Sequence, residues 1–346
     1  MKPRKHSAVP TIRQVADHVG VSPATVSRVL NGYPHIRDEL RQSVLDAIAE
    51  LGYKPNRVAQ RLRASRSRLI GIIVTDITNP FFNTIMAGIE QTFYSHGYSV
   101  LMSNTAGDMR KELGYLEMMK NEEVAGLVIA PTSEDVKHVV DTAEAGLPVV
   151  IIDRRIKGDK ARHLDMVLAD NTEGAFNAVT HLIRLGHRRI GMIGGPQHLT
   201  SGRERLEGYR QAMRSAGLTV SKKWIRLGDH RYDSGFELLH QLLECDPPVT
   251  AIFASNNMMT LGALNALHQR GKRIPEDIAI VGFDDMGWSP SLNPPLTAVS
   301  QPTAEIGTLA AELLLERISR PDLPVRLMTL KTELMIRESC GSHLPR

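Results

Sequence analysis

From Leu69 to Asp285 short apolar runs alternate with amphipathic stretches, and that alternation leaves few architectures open. The runs are LIGIIVTD (69–76), YSVLMSN (98–104), AGLVIAP (125–131), PVVIID (148–153), DMVLAD (165–170), RIGMIGG (189–195), TAIFAS (250–255) and IAIVGFDD (278–285). Most are continuous rather than alternating, so each strand needs cover on both faces, as parallel strands flanked by helices have. The spacing predicts a doubly wound α/β body. About 280 residues of this kind exceed one ordinary core, so two similar lobes are expected, with a boundary near Met166 to Asp170.

The first 66 residues follow another pattern. In TIRQVADHVG (11–20), Ile12, Val15, Ala16 and Val19 recur at helical spacing, with Thr11 placed to cap and Gly20 to stop. Ser22 before Pro23 starts a second helix after a very short turn. A third, from about Asp38 to Leu51, is expected to bury Leu40, Val44, Leu45 and Ile48 before Gly52 closes it. This is an all-α unit containing a helix-turn-helix. With Val26, Val29 and Leu30 turned to its core, Pro23, Ala24, Thr25, Ser27 and Arg28 face outward. Small side chains let a backbone approach a DNA major groove, hydroxyls reach phosphates, and an arginine can donate two bonds to a guanine edge. A surface helix with incidental Ser and Arg is the plainer alternative.

Charge bears on that choice. Residues 1–66 hold 12 Lys and Arg against 5 Asp and Glu, whereas the rest hold 30 against 33. A small basic unit ahead of a mildly acidic body is the electrostatic footprint of phosphate-backbone binding. Between the two lies YKPNRVAQRLRASRSRL (53–69), a linker by composition with five arginines from Arg57 to Arg68. Val58, Ala59 and Leu62 would share one side of a single helical turn, marginal alone in water but able to form on DNA. A leucine among arginines is what a minor-groove wedge looks like.

Several function classes lack their signatures. There is no Walker loop, nucleophile elbow, HExxH or dinucleotide fingerprint, and IGMIGGP lacks the needed glycine spacing. The thirteen histidines are scattered, with His181 and His187 six apart, unlike a helical metal pair. No enzyme activity, metal or cofactor is expected. MKPRKHSAVP has charge without an apolar h-region and no run is long enough to span a membrane, which predicts a cytoplasmic protein and no membrane partner. Cys245 and Cys340 lie far apart without metal-type or redox-type spacing, as in a reducing compartment. An exported sugar-binding protein would share the two-lobed body, but with a signal peptide where this chain has a helix-turn-helix.

In open α/β folds ligands sit at strand C-terminal ends and in the crevice between lobes. The polar residues there are Asp76 and Asn79, Asn104, Asp153 and Arg154, Asn256 and Asn257, and Asp284 and Asp285. Capping is the preferred role for Asp170, Asn171 and Asn257, since helices follow at once. Asp153 and Asp284 face each other only if two lobes close on something, and Arg205 would add a cation. Carboxylates and amides with an arginine, beside Phe81, Phe82 and Trp288, suit gripping a polyol through its hydroxyls and C–H faces. Arg154 beside Arg205 favours an anionic group on the ligand, or else makes a structural salt bridge.

These residues carry a resemblance. TIRQVADHVGVSPATVSRVLNG, ELGYKPNRVAQRL, HLIRLGHRRIGMIGGP, SNNMMTLGAL and VGFDD followed by PPLTAVSQP, in that order, resemble the lactose/galactose repressor family of bacterial transcription regulators over nearly the whole chain. The resemblance implies a helix-turn-helix headpiece over residues 1–55, a hinge helix and linker over 56–67, and a two-lobed periplasmic-binding-protein-like domain over 68–346. Its lobes would be approximately 68–167 plus 301–329 and 168–300 plus 330–346. It further implies that Pro23, Ala24 and Arg28 read bases, that Thr25 and Ser27 hold phosphates, and that Leu62 is the intercalating lever. Thr11, Asn31, Tyr53, Asn56, Arg57 and Ala59 complete the implied DNA surface. Asp76, Phe81, Asp153, Ser201, Arg205, His230, Asn256 and Asp284 fall at implied effector contacts, with His230 where some members place an aromatic ring.

The implied partners are double-stranded operator DNA, a second copy of the chain, and a small effector for which a sugar, sugar acid or sugar phosphate is preferred to a purine. One recognition helix reads only a few base pairs, so a symmetric homodimer on an imperfect palindrome is expected. ESCGSHLPR is too short and aperiodic for a zipper-built tetramer. Two departures stand out: Asn256-Asn257 replaces the family's common Asn-Asp, and Arg37 replaces a serine cap, with Asp38 able to take over one residue later.

Overall fold

The computed structural model describes residues 10–30, 33–53, 67–156 and 164–343. The chain forms two compact units, Met1–Ser67 and Arg68–Arg346. Asn31, Asn56, Arg57, Ala59 and Leu62 lie outside the described residues.

In the small unit, α1 (Ile12–Val19) opens on a capping box: Thr11 accepts from the Gln14 N–H while Gln14 reaches back to the Thr11 backbone. Gly20 ends it in the left-handed region at φ 72°, a conformation glycine adopts without Cβ strain. Ser22 then accepts from the Thr25 N–H at 3.1 Å and starts α2 (Pro23–Leu30). In α3 (Asp38–Leu51) the N-cap residue Arg37 makes no side-chain cap bond, and Asp38 is already the first helical residue. Val15, Ala16, Val26 and Val44 are fully buried. Leu45 is not part of this core: it is 43% exposed, and Ala47 is buried instead. Val44, Ala47, Ile48 and Leu51 form the i, i+3, i+4, i+7 stripe, from which Leu45 is turned by about 100°.

The large unit holds two six-stranded sheets. The first contains β1 (Leu69–Val74), β2 (Ser99–Asn104), β3 (Gly126–Ile129), β4 (Val149–Ile152), β5 (Asp165–Ala169) and β11 (Leu327–Leu330), in the order β11-β5-β4-β3-β1-β2. The second contains β6 (Ile190–Gly194), β7 (Ile225–Leu227), β8 (Ala251–Ala254), β9 (Ala279–Phe283), β10 (Thr297–Ser300) and β12 (Glu333–Met335), in the order β12-β10-β9-β8-β6-β7. All pairings are parallel except β10 with β12. The apolar runs thus form the doubly wound sheets that their continuity predicts. The sequence pattern does not show β7, β10, β11 and β12, which are three or four residues long and lie at or beside sheet edges; β7, β11 and β12 are incompletely buried, and β10 is buried but too short to stand out.

Helices cover both faces of each sheet. In the first lobe these are α4 (Pro80–Ser95), α5 (Met109–Asn121), α6 (Lys137–Glu144) and α11 (Thr303–Ser319). In the second they are α7 (Asn171–Arg184), α8 (Thr200–Ser215), α9 (Tyr232–Leu243) and α10 (Asn257–Gln269). The crossing of α4 and α11 depends on glycine, because a Cβ on Gly307 would lie 2.3 Å from the Ile85 carbonyl oxygen. The chain passes between lobes after β5, after β10 and between β11 and β12. Each sheet reverses winding beside its first strand, β1 and β6, and the loops that follow the C-terminal strand ends converge on one cleft.

Candidate functional site: the cleft between the lobes

The cleft encloses a cavity of about 530 Å³, within the range of small-molecule sites. Asp76, Phe81, Asp153, Ser201, Arg205, His230, Asn256 and Asp284 all line it, drawn from the ends of five strands and the starts of two helices. Asn79, Phe82, Thr132 and Arg154 line it too, although resemblance did not single them out. Trp288 does not: it packs between the cores of the two lobes. Asn104 accepts from the Ala106 N–H, and Asp285 binds Arg337 on the far side, at 2.7 and 2.8 Å.

Two carboxylates dominate the cavity, both on left-handed backbone directly after a strand: Asp153 at φ 68° after β4 and Asp284 at φ 70° after β9. Non-glycine residues persist in that region only where their surroundings fix them, and such strain concentrates at functional sites. Each has a guanidinium. The Arg154 Nε lies 3.3 Å from Asp153, and Arg205 Nη2 lies 3.8 Å from Asp284. Burial pushes the Asp153 carboxyl up, while Arg154 and Arg205 pull it down.

The two arginines are held from behind. Arg205 donates to Asn171 at 2.8 Å and to the Ser255 carbonyl at 2.6 Å, with its guanidinium 3.9 Å from the Phe283 ring centroid. Arg154 donates to the Pro131 carbonyl and to Thr75. It therefore serves mainly as a structural salt bridge, not as a free cation for a ligand. Asp284 also accepts from Gln301 Nε2 at 2.5 Å, a residue that lies in the crossover between β10 and α11.

Capping divides differently from the sequence expectation. Asp170 caps α7, accepting from the Glu173 N–H, and so leaves Asn171 free to hold Arg205 and to donate to Glu204. Asn256, not Asn257, caps α10, through the Met259 N–H at 2.9 Å. Its amide also donates to the His230 carbonyl at 2.9 Å, which fixes the loop after β7. His230 has φ 68°, and its Nε2 is buried with no hydrogen-bond partner among the described residues. Burial first, then Arg205 and Arg154, hold its imidazole well below the usual range, so it is neutral at pH 7. Gly195 makes room for it: a Cβ there would lie 1.9 Å from His230 Nε2.

On α2 of the small unit, Pro23, Ala24 and Arg28 are exposed, and Thr25 and Ser27 are half-buried. Thr11 is exposed at the start of α1, and Tyr53 is half-buried after α3. Thr25 Oγ1 lies 2.9 Å from Ser22 Oγ, so it also belongs to the cap of its helix. Among the described residues no group of three or more His, Cys, Asp or Glu could hold a metal ion. No described helix is long and apolar enough to cross a membrane.

Residues 11–56 match the model for bacterial regulatory proteins of the lacI family. Residues 67–334 match that for periplasmic binding proteins and the sugar binding domain of the LacI family. The chain belongs to the LacI family. It is 34% identical over 331 residues to the HTH-type transcriptional repressor PurR of Photobacterium profundum, covering 95% of this chain and 98% of that one. Among solved structures, the CelR–cellobiose complex is 34% identical with a TM-score of 0.73, covering 95% of this chain and 99% of the other. The lac repressor dimer bound to operator and the anti-inducer ONPF is 29% identical with a TM-score of 0.84, covering 96% and 99%. This LacI-family chain is accordingly a DNA-binding transcriptional regulator with an effector-binding domain, and not an enzyme. The relatives do not support the preference for a sugar over a purine, since PurR repressors stand beside a cellobiose complex.

Proposed function

We propose that the cleft takes a neutral polyhydroxylated effector, a sugar or close derivative, and that this effector switches operator binding by a homodimer. The paired charges carry this reading. Asp153 with Arg154 and Asp284 with Arg205 put fixed donors and acceptors at the cavity wall with their formal charges already balanced. Hydroxyl groups can both donate to such carboxylates and accept from such guanidiniums; the one lining arginine outside these pairs, Arg231, is exposed, so water screens the attraction it could offer an anionic group. Phe81 and Phe82, edge to face with centroids 5.1 Å apart, give an apolar wall for C–H groups. The relative whose complex contains cellobiose is in keeping with this chemistry. Isothermal calorimetry should find binding among neutral pentoses, hexoses and cellobiose, and none among aldonic acids, sugar phosphates, guanine and hypoxanthine. Binding confined to the purines or the anions would overturn the reading.

On the DNA side, Pro23, Ala24 and Arg28 are assigned to bases, and Thr11, Thr25, Ser27 and Tyr53 to phosphates or close approach. Asn31, Asn56, Arg57, Ala59 and Leu62 complete the surface on the resemblance alone. The headpiece, hinge and two-lobe boundaries given above, and a cytoplasmic location, belong to the same reading. Arg28→Ala is expected to cost about 1–3 kcal/mol and to relax preference at one base pair, whereas Thr25→Ala weakens all sequences alike. Fluorescence anisotropy against single-base operator variants distinguishes the two. Uniform weakening by Arg28→Ala would place that residue on phosphate.

A further inference from the structure

We infer that Asn257 is a latch that holds the two lobes closed, so that this side chain sets how much of the effector's binding free energy is needed to close the cleft. The inference deepens the effector reading and rests on the cleft being the effector site.

Asn257 begins α10 in the second lobe and is 1% exposed; Asn79 precedes α4 in the first and is 8% exposed. Asn257 Nδ2 donates to Asn79 Oδ1 at 2.8 Å across the cleft. The same oxygen accepts from the Phe81 N–H at 3.0 Å as the cap of α4, and that fixes which end of the Asn79 amide faces the other lobe. Only a donor at position 257 can meet it. An aspartate there would set two acceptors against each other. It would also bring a carboxylate beside Asp284, whose Oδ2 already accepts from the Asn257 N–H at 3.4 Å. Since Asn79 and Asp284 both line the cavity, the latch joins the cavity wall of one lobe to that of the other.

Other contacts across the cleft cannot play this part as well. Arg155 binds Glu204 and Thr200, yet it also reaches Thr329 on β11, and Glu204 accepts from Asn171 just after the β5 crossover. That cluster sits at the hinge, where opening moves atoms least. Arg203 pairs with Glu134 at the rim, but both side chains are 32% exposed, so water replaces the contact at small cost. Met286 and Trp288 add apolar contact between the lobe cores, but among the described residues away from the hinge the Asn79–Asn257 bond is the interlobe hydrogen bond between two buried side chains, and its loss on opening must be made good by water.

A distance measurement between the lobes tests this without any effector. Spin labels at Lys120 on α5 and Lys272 after α10, both exposed, report lobe separation in the full-length chain. Cys245 and Cys340 are replaced by serine, and the labelled chain is diluted with unlabelled chain. Asn257→Asp is expected to raise the open-to-closed ratio about ten-fold, the equivalent of losing one buried hydrogen bond and gaining a like-charge contact. Asn257→Ala, which removes the donor without adding charge, shifts it in the same direction by less. Arg203→Ala leaves it unchanged. A wild-type distribution in both Asn257 variants, or a shift with Arg203→Ala alone, would overturn the latch. Because no effector is present, failure here leaves the polyol reading untouched, and failure of the calorimetric panel leaves the latch untouched.

Discussion

Asp284→Asn yields a folded repressor whose response to effector is lost. Asparagine matches aspartate in shape, tolerates the left-handed backbone at φ 70°, and keeps an oxygen to accept from Gln301, giving up the long 3.4 Å contact in which Oδ2 accepts from the Asn257 N–H. What goes is the charge that strengthens hydrogen bonds from ligand hydroxyls. That loss is expected to cost about 1.5–3 kcal/mol, or roughly 10- to 150-fold in effector affinity. If the effector is an inducer, the variant binds operator and no longer lets go at concentrations that release the wild type; if it is a corepressor, the variant never grips. Anisotropy on labelled operator with increasing effector distinguishes the two. Asp284→Asn is a cleaner probe than Arg205→Ala, because Arg205 also ties Asn171 to the Ser255 carbonyl, and its removal disturbs the lobe. Coupling is reciprocal, so operator must shift effector affinity by the same factor as effector shifts operator affinity. Equal effector affinity with and without operator would sink the allosteric reading even if both ligands bind.

Asp165→Ala should be strongly destabilising for the first lobe, at about 3–5 kcal/mol. Its carboxylate opens β5 with no solvent exposure of the side chain. It accepts from Arg317 Nε at 3.1 Å, from Arg317 Nη2 at 3.0 and 3.1 Å, and from the Arg326 N–H at 2.8 Å. Arg317 in turn holds the carbonyls of Pro321, Leu323 and Pro324, the segment that leads into β11. Removing the carboxylate leaves a largely buried guanidinium without its counter-charge and unties the edge strand beside the interlobe crossover. Urea denaturation followed by circular dichroism measures the loss. A change below about 1 kcal/mol would mean that water reaches Arg317 freely and that the network is a surface one.

The sequence alone determined the fold class and the long elements, though not the short strands β7, β10, β11 and β12. Continuous apolar runs such as LIGIIV and AIVGF cannot sit half-exposed, so they force parallel strands covered by helices, and Thr11, Ser22 and Gly20 mark helix ends by local chemistry alone. The cavity residues were legible because strand C-terminal ends are where this architecture places ligands, and the resemblance then picked among them. The tertiary structure decided what each polar group was bound to. Asp170 and Asn171, or Asn256 and Asn257, are neighbours with almost the same local propensity. Which one caps and which one reaches 34 or 178 residues away depends on atoms brought near by the fold. The same holds for Arg154, which the sequence leaves open between a cation for the ligand and a structural salt bridge, and which is bound to Asp153, Pro131 and Thr75 in space. Short-range preference fixes helix ends because the partner is three residues away; a hydrogen bond across a cleft has no local trace, and only folding supplies its second half.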